Sequence, residues 1–101
     1  MADEVVQRQL LVVNPMGMHA RPAALVAKLA IQFRSEIVLV KGNQRVDAKG
    51  VIDLMTLSAE QGSNLLLEAR GIDAQSAVDA IEKLFQNGLG DLDAQPNTPE
   101  P

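Results

Sequence analysis

Apolar residues in this chain occur in two patterns. Unbroken Val- and Leu-rich runs are typical of strands, and a spacing of three and four residues is typical of helices. Four runs predict strands, over residues 5–13, 36–40, 44–48 and 64–70. Helical spacing predicts three helices, which begin near residues 20, 50 and 74. The order β-α-β-β-α-β-α favours an α+β fold, in which a four-stranded antiparallel sheet packs three helices on one face.

Each predicted helix carries an apolar face that can pack on such a sheet. The predicted core faces are Val26, Leu29, Ala30 and Phe33 in the first helix, Val51, Leu54 and Met55 in the second, and Ala74, Val78, Ile81 and Phe85 in the third. We expect Val26, Leu29 and Phe33 to anchor the first helix. Asp73 is a predicted N-cap of the third helix, and Asn87-Gly88 a predicted stop signal.

With 101 residues, of which 47% are hydrophobic, the chain has the size and composition of one folded domain. It contains two Phe and neither Trp nor Tyr, so the core must be aliphatic. We assign residues 1–88 to the domain. Residues 89–101 contain three prolines and no apolar periodicity, and are predicted to form a disordered C-terminal tail.

Composition excludes several classes of function. The chain has no cysteine and one histidine, so it cannot form disulfides, thiolate metal sites or a four-ligand zinc site. A net charge of −4 argues against nucleic-acid binding, which needs a clustered positive face. No apolar run approaches the roughly 20 residues of a membrane span, and the acidic start lacks the pattern of a signal peptide. We therefore expect a cytoplasmic protein with no membrane insertion, no metal and no cofactor.

Residues 17–23, Gly-Met-His-Ala-Arg-Pro-Ala, form the one constellation that could carry chemistry. A strand ends, a glycine bends the chain, and the only histidine, His19, stands at a helix start. The first turn of a helix has unpaired N–H groups and a partial positive charge. We therefore expect a helix start to favour the nucleophilic neutral ring over the imidazolium, and to stabilise a phosphoryl group attached to it.

The neighbours of His19 suit the same chemistry. Gly17 lets the backbone approach a phosphate closely, and Arg21 can donate hydrogen bonds to phosphoryl oxygens. Small Ala20, Ala23 and Ala24 are expected to leave the imidazole open to a partner. By spacing alone, however, a single histidine near a helix start is more often an ordinary capping or surface residue.

Residues 17–23 resemble the active-site motif of HPr, the histidine-containing phosphocarrier family of the bacterial phosphoenolpyruvate phosphotransferase system. Residues 48–57, Ala-Lys-Gly-Val-Ile-Asp-Leu-Met-Thr-Leu, resemble the second characteristic stretch of that family. The resemblance extends over about residues 5–88 and implies an open-faced β-sandwich. Met16 and the stretch 84–88 are more similar to the nitrogen-related branch.

The resemblance implies specific roles. His19 would accept a phosphoryl group on Nδ1 from phosphorylated enzyme I, which phosphoenolpyruvate charges, and would pass it to a histidine of an enzyme IIA-type acceptor in sugar transport. Arg21 would steady the phosphate, with Gly17 and Ala20 beside it. Such a protein is a stoichiometric carrier, not an enzyme with its own turnover, and a monomer is expected.

The resemblance also implies a partner surface on the first helix and the short helix after Gly50. Its residues are Ala24, Lys28, Val51, Ile52, Met55 and Thr56. Ile52 and Thr56 lie off the predicted core stripe, and exposed apolar residues are a mild sign of a contact surface. Lys28 adds positive charge suited to an acidic partner.

Two departures from the family, at Met16 and Gly50, keep other functions open. Gly50 stands where many HPr proteins carry a regulatory serine, so an HPr kinase has no hydroxyl to modify there. One alternative is a regulatory binding module of a nitrogen-type or incomplete phosphotransferase system, whose partner binding depends on His19 phosphorylation without sugar transport. Another is a structural domain with a coincidental motif, for which no phosphoryl transfer is expected.

Overall fold

The computed structural model describes residues 4–90, which form four strands and three helices in the predicted order. The strands are β1 Val5–Leu11, β2 Glu36–Lys41, β3 Gln44–Asp47 and β4 Asn64–Arg70. The helices are α1 Ala20–Ala30, α2 Val51–Met55 and α3 Ala74–Gln86. The predicted α+β fold, an open-faced sandwich of an antiparallel sheet and three helices, is confirmed.

The strands lie in the order β1-β4-β2-β3, and every neighbouring pair is antiparallel. The central strand β4 sets Leu65 opposite Leu10 of β1, and Leu67 opposite Leu39 of β2. These leucines point to the helical side of the sheet and are almost fully buried. Together with the buried face of α3 they make the aliphatic core that the composition requires.

The buried face of α1 is displaced from the one that its apolar pattern predicts. Ala23, Val26, Ala27 and Ala30 are buried, whereas Leu29 is only half-buried. Phe33 lies three residues beyond the end of α1 and is also half-buried, so its predicted anchoring position on the helix is wrong. The cause is the run of small residues, because alanines let α1 approach its neighbours closely while larger side chains remain at the margin.

Helix α2 is shorter than the predicted range of residues 50–58, and only Leu54 is fully buried on it. Met55 is 39% exposed, so its predicted place in the core stripe is wrong. The helix ends because the chain turns at Ser58, which has a positive φ of 50°. Leu57 and Ala59, on either side of Ser58, are buried in the core.

The C-terminal end of α3 is closed by a Schellman motif. Gly88, at φ 83°, donates its N–H to the carbonyl of Phe85, and Leu89 donates its N–H to the carbonyl of Leu84. The side chain of Leu89 is fully buried. The packed domain therefore includes Leu89, beyond the predicted boundary at residue 88. The rest of the predicted tail, residues 91–101, lies outside the described residues.

Asp73 stands at the predicted N-cap position of α3, but its side chain makes no capping hydrogen bond. It instead accepts hydrogen bonds from the hydroxyl of Ser35 at 2.5 Å and from the backbone N–H groups of Ser35 and Arg34. The Ser35 hydroxyl, followed by the backbone donors, lowers the pKa of Asp73 to about 2. The carboxylate thus ties the start of β2 to the start of α3.

We expect Asp73→Asn to destabilise the protein near neutral pH, with a difference from the wild type that shrinks as the pH falls from about 4 to about 2. The pKa of Asp73 is depressed on folding, from about 3.9 in an unfolded chain to about 2. Its ionised form therefore contributes stability above the unfolded value and loses it below the folded value. Urea unfolding of both proteins across this pH range measures the difference, and a pH-independent difference would contradict the assignment.

Candidate functional site

His19 lies immediately before α1, in extended backbone at φ −90° and ψ −170°. Its carbonyl accepts the first helical hydrogen bond, from Ala23 N–H at 3.0 Å, and its own N–H donates to the carbonyl of Gly17 at 3.0 Å. The backbone of His19 therefore begins the hydrogen-bonding pattern of α1. The half-buried side chain lies at the N-terminal end of the helix, where the sequence predicts it.

Gly17 fixes the turn that presents His19. Its φ is +69°, and a Cβ at this position would lie 2.3 Å from the carbonyl oxygen of Ala59. The Met18 N–H donates to that same oxygen at 2.8 Å, and Asn14 Nδ2 donates to the carbonyl of Gly17 at 2.8 Å. The histidine turn is therefore held against a second chain segment about 40 residues away in sequence.

The two segments enclose a shallow depression of about 250 Å³. It is lined by Met16, Met18, His19, Ser58, Ala59 and Glu60. Sequence reasoning missed the contribution of residues 58–60, because it treated them as an ordinary helix end and loop. The one available signal was Gly17 itself, since a glycine at a turn can mark close approach by another segment.

The first turn of α1 leaves Arg21 exposed directly after the histidine. Ala20 and Ala24 are also exposed, as an accessible site requires. Ala23 is fully buried and faces the core, so the expectation that it leaves room beside the imidazole is wrong. Pro22, also buried, occupies the first turn, where a helix has no need of its missing N–H.

Helices α1 and α2 pack against each other, so the residues of the predicted partner surface come from adjoining elements. On α1, Ala24 and Lys28 are exposed. On and after α2, Ile52 is 73% exposed, and Met55 and Thr56 are exposed beside it. Val51 is half-buried and packs against the core, so it offers little surface to a partner.

The family model described as "PTS HPr component phosphorylation site" matches residues 6–87, nearly the whole of the described part of the chain. The chain belongs to the HPr family. Members of this family are phosphocarrier proteins of the phosphotransferase system, and the predicted resemblance is confirmed.

Relatives come from both branches of the HPr family. The chain is 45% identical over 83 residues to the phosphocarrier protein HPr of Treponema pallidum, covering 82% of this chain and 94% of the relative. It is 39% identical over 84 residues to the phosphocarrier protein NPr of Proteus mirabilis, covering 81% of this chain and 92% of the relative. It also matches about a fifth (19%) of the phosphoryl donor subunit DhaM of a PEP-dependent dihydroxyacetone kinase from Providencia stuartii, at 37% identity.

Solved HPr structures share the fold. The crystal structure of HPr-C-His from Thermoanaerobacter tengcongensis superimposes with a TM-score of 0.81 at 35% sequence identity. The match covers 84% of this chain and 96% of that protein.

Gly50 precedes α2 in extended backbone with φ −110° and ψ 119°. Its φ is negative, so the backbone conformation does not require glycine there. A Cβ at this position would lie 3.0 Å from Oδ2 of Asp53, a contact that a small shift of the exposed Asp53 side chain can relieve.

Within residues 4–90, no group of three His, Cys, Asp or Glu side chains is arranged to hold a metal ion. None of the helices in the same part of the chain combines the length and apolar character needed to span a bilayer.

We expect Gly17→Ala to destabilise the HPr fold by about 2–4 kcal/mol, because a left-handed alanine is strained by about 1–2 kcal/mol and backbone overlap adds to this. Relieving the overlap with Ala59 must move the histidine turn away from residues 58–60. Gly42→Ala is the matched control, since Gly42 also has a positive φ, +60°, but a Cβ there would meet nothing within 4 Å. Urea unfolding measures both variants, and equal losses would argue against the close approach at Gly17.

Proposed function

We propose that this HPr-family chain is a cytoplasmic phosphocarrier that accepts a phosphoryl group on Nδ1 of His19 from phosphorylated enzyme I and passes it to an enzyme IIA-type acceptor. The observation that carries the proposal is the position of the only histidine, at the N-terminal end of α1 within a matched phosphorylation-site family. One such side chain carries one phosphoryl group, so a monomer is sufficient for the function.

The transfer step needs a neutral imidazole. The lone pair of Nδ1 attacks phosphorus, the bond between phosphorus and the donor breaks, and Nε2 keeps its hydrogen. Delivery to the acceptor reverses the roles, since the bond from Nδ1 to phosphorus breaks as the acceptor's bond forms. The depression beside His19 is open to solvent and to a partner, which such a direct exchange between two proteins requires.

Backbone groups of α1 support the phosphorylated state. A helix has no internal acceptors for its first N–H groups, and Pro22 has no N–H, so the amides of Ala20 and Arg21 are available to an anion. The positive end of the helix dipole acts in the same direction. The exposed guanidinium of Arg21, two residues after His19, can add charge-assisted hydrogen bonds to the phosphoryl oxygens.

The test is a phosphoryl-transfer assay with purified chain, enzyme I, magnesium and phosphoenolpyruvate, read by intact mass. We expect a gain of one phosphoryl group that is lost in acid, as a phosphorus–nitrogen bond is. Because the chain has one histidine, peptide mapping must place the group on residue 19. No gain with an enzyme I that phosphorylates a reference HPr would overturn the proposal.

A second candidate is a regulatory module of a nitrogen-type system. Two features favour it, the similarity to NPr of Proteus mirabilis and the exposed Met16 beside Gly17. A chase experiment separates the two functions. Phosphorylated chain that loses its group to a sugar-specific enzyme IIA supports the carrier of sugar transport, whereas loss only to a nitrogen-type enzyme IIA supports the second candidate.

A further inference from the structure

Residues 56–60, which follow α2, form one side of the depression beside His19, through Ser58, Ala59 and Glu60. We call residues 56–60 the α2 turn. Its conformation is not one that the local sequence favours, because Ser58 has a φ of 50°, where residues with a side chain are strained. Helix α2 has only five residues, too few to be stable alone. Contacts from other parts of the fold must therefore hold the α2 turn.

The hairpin of β2 and β3 supplies such contacts. Lys41, the last residue of β2, donates from Nζ to the carbonyl of Ser58 at 3.0 Å and to that of Leu57 at 3.4 Å. Gln44, the first residue of β3, donates from Nε2 to the carbonyl and the hydroxyl of Thr56, each at 3.1 Å. Three successive carbonyl groups of the α2 turn thus accept hydrogen bonds from the hairpin. A cationic donor suits them, because carbonyls at the end of a helix lack partners within it.

The α2 turn is also bonded to the histidine turn on its other side. The carbonyl of Ala59 accepts the N–H of Met18 at 2.8 Å, and Met18 directly precedes His19. Lys41 bonds to the residue immediately before Ala59. It is not among the residues that line the depression, so it acts on His19 only through these two segments.

We propose that Lys41 is a positioning residue for phosphoryl transfer, because its bond to the carbonyl of Ser58 holds the strained turn and thereby keeps Ala59 against the histidine turn. Without this bond, the α2 turn populates other conformations, since strained backbone persists only where its surroundings hold it. A partner then binds only the fraction of molecules in which Ala59 still holds Met18. The effect falls on partner binding, and in this respect the inference rests on the proposed function.

A first test of the positioning role needs no phosphoryl transfer. We expect the amide of Met18 to exchange with solvent about two- to tenfold faster in Lys41→Ala, and more than the amide of Leu67 in the central strand. Lys83→Ala is the matched control, since it removes the same side chain from an exposed position on α3 and should leave Met18 unchanged. Unchanged exchange at Met18 in Lys41→Ala would overturn the proposal. Equal acceleration at Met18 and Leu67 would also overturn it, because it would indicate a general loss of stability.

Ser58→Gly tests whether Lys41 acts through the strained turn. Glycine adopts a positive φ without a steric penalty, so the turn then needs Lys41 less. In the Ser58→Gly background, we expect Lys41→Ala to accelerate exchange at Met18 by less than about twofold. The same acceleration in both backgrounds would overturn the role of Ser58 in the proposal.

The kinetic test uses enzyme I with the chain as its substrate. We expect Lys41→Ala to raise the KM for the chain about two- to fivefold with little change in kcat, and Lys41→Arg, which keeps a cationic donor, to restore most of the difference. A merely structural role leaves both constants unchanged as long as the variant is folded. An unchanged KM would therefore overturn the positioning role. No phosphorylation of the wild type would overturn the proposed function and leave the exchange result to decide whether Lys41 holds the site.

Discussion

His19→Ala is expected to abolish phosphoryl acceptance while changing the free energy of unfolding by no more than about 0.5 kcal/mol. The backbone of this residue makes two hydrogen bonds that alanine keeps, from its N–H to the carbonyl of Gly17 and from Ala23 N–H to its own carbonyl. The side chain is half-buried and makes no capping bond to α1, so alanine keeps the helix entrance intact. Intact mass after incubation with enzyme I, together with urea unfolding, measures both quantities.

Arg21→Ala tests the contribution of the guanidinium separately from that of the His19 imidazole. A hydrogen bond to a charged group contributes about 1.5–3 kcal/mol, so we expect acceptance to continue at a rate about 10- to 100-fold lower.

Retention of an acid-labile phosphoryl group by His19→Ala would contradict the assignment of the acceptor. A large loss of stability in that variant would contradict the placement of the side chain at an open site.

Phe85→Ala is expected to lower the free energy of unfolding by about 3–5 kcal/mol, a large share of the total stability of a small domain. Phe85 has the largest side chain of the core and is 1% exposed. Its ring lies on the buried face of α3, which packs on β1 and β4. Removal of the ring leaves a cavity between α3 and the paired strands β1 and β4, which cannot collapse to fill it.

The matched variant is Phe33→Ala, which removes the same side chain from a half-buried position beyond α1. Because only part of that ring leaves water on folding, we expect a loss of about 1–2 kcal/mol. Urea unfolding of the two variants gives the comparison. A loss at Phe33 as large as at Phe85 would show that residue 33 anchors α1 after all.

The sequence predicts the strands and the long helices well because their apolar spacing is local information. The range of β4, residues 64–70, agrees with the observed strand, and the predicted core residues of α3 are all buried. The position of His19 at a helix start also follows from local signals, namely the glycine, the proline in the first turn and the helical spacing after it. The fold class and the position of the histidine are therefore both readable from neighbouring residues.

The predictions that differ from the structure concern features that local sequence does not determine, such as contacts between segments distant in sequence. Met55 is exposed, although its own sequence neighbourhood fits a helical core stripe. Asp73 is a residue type typical of helix N-caps. Its carboxylate instead accepts a hydrogen bond from Ser35, 38 residues away in sequence. The depression beside His19 depends on Ala59, which lies about 40 residues from Gly17 in sequence and approaches it closely in the fold. The apolar pattern of a short stretch of sequence carries no information about such long-range contacts.

The contact between the histidine turn and residues 58–60 affects how fast partners bind and dissociate. Because Gly17 and Met18 are held against Ala59, the backbone that carries the imidazole is ordered before any partner arrives. Binding then spends little conformational entropy on ordering the site, so a small contact area suffices for a productive encounter. A carrier with two successive partners benefits, since a small interface also releases quickly and each complex can dissociate before the next one forms.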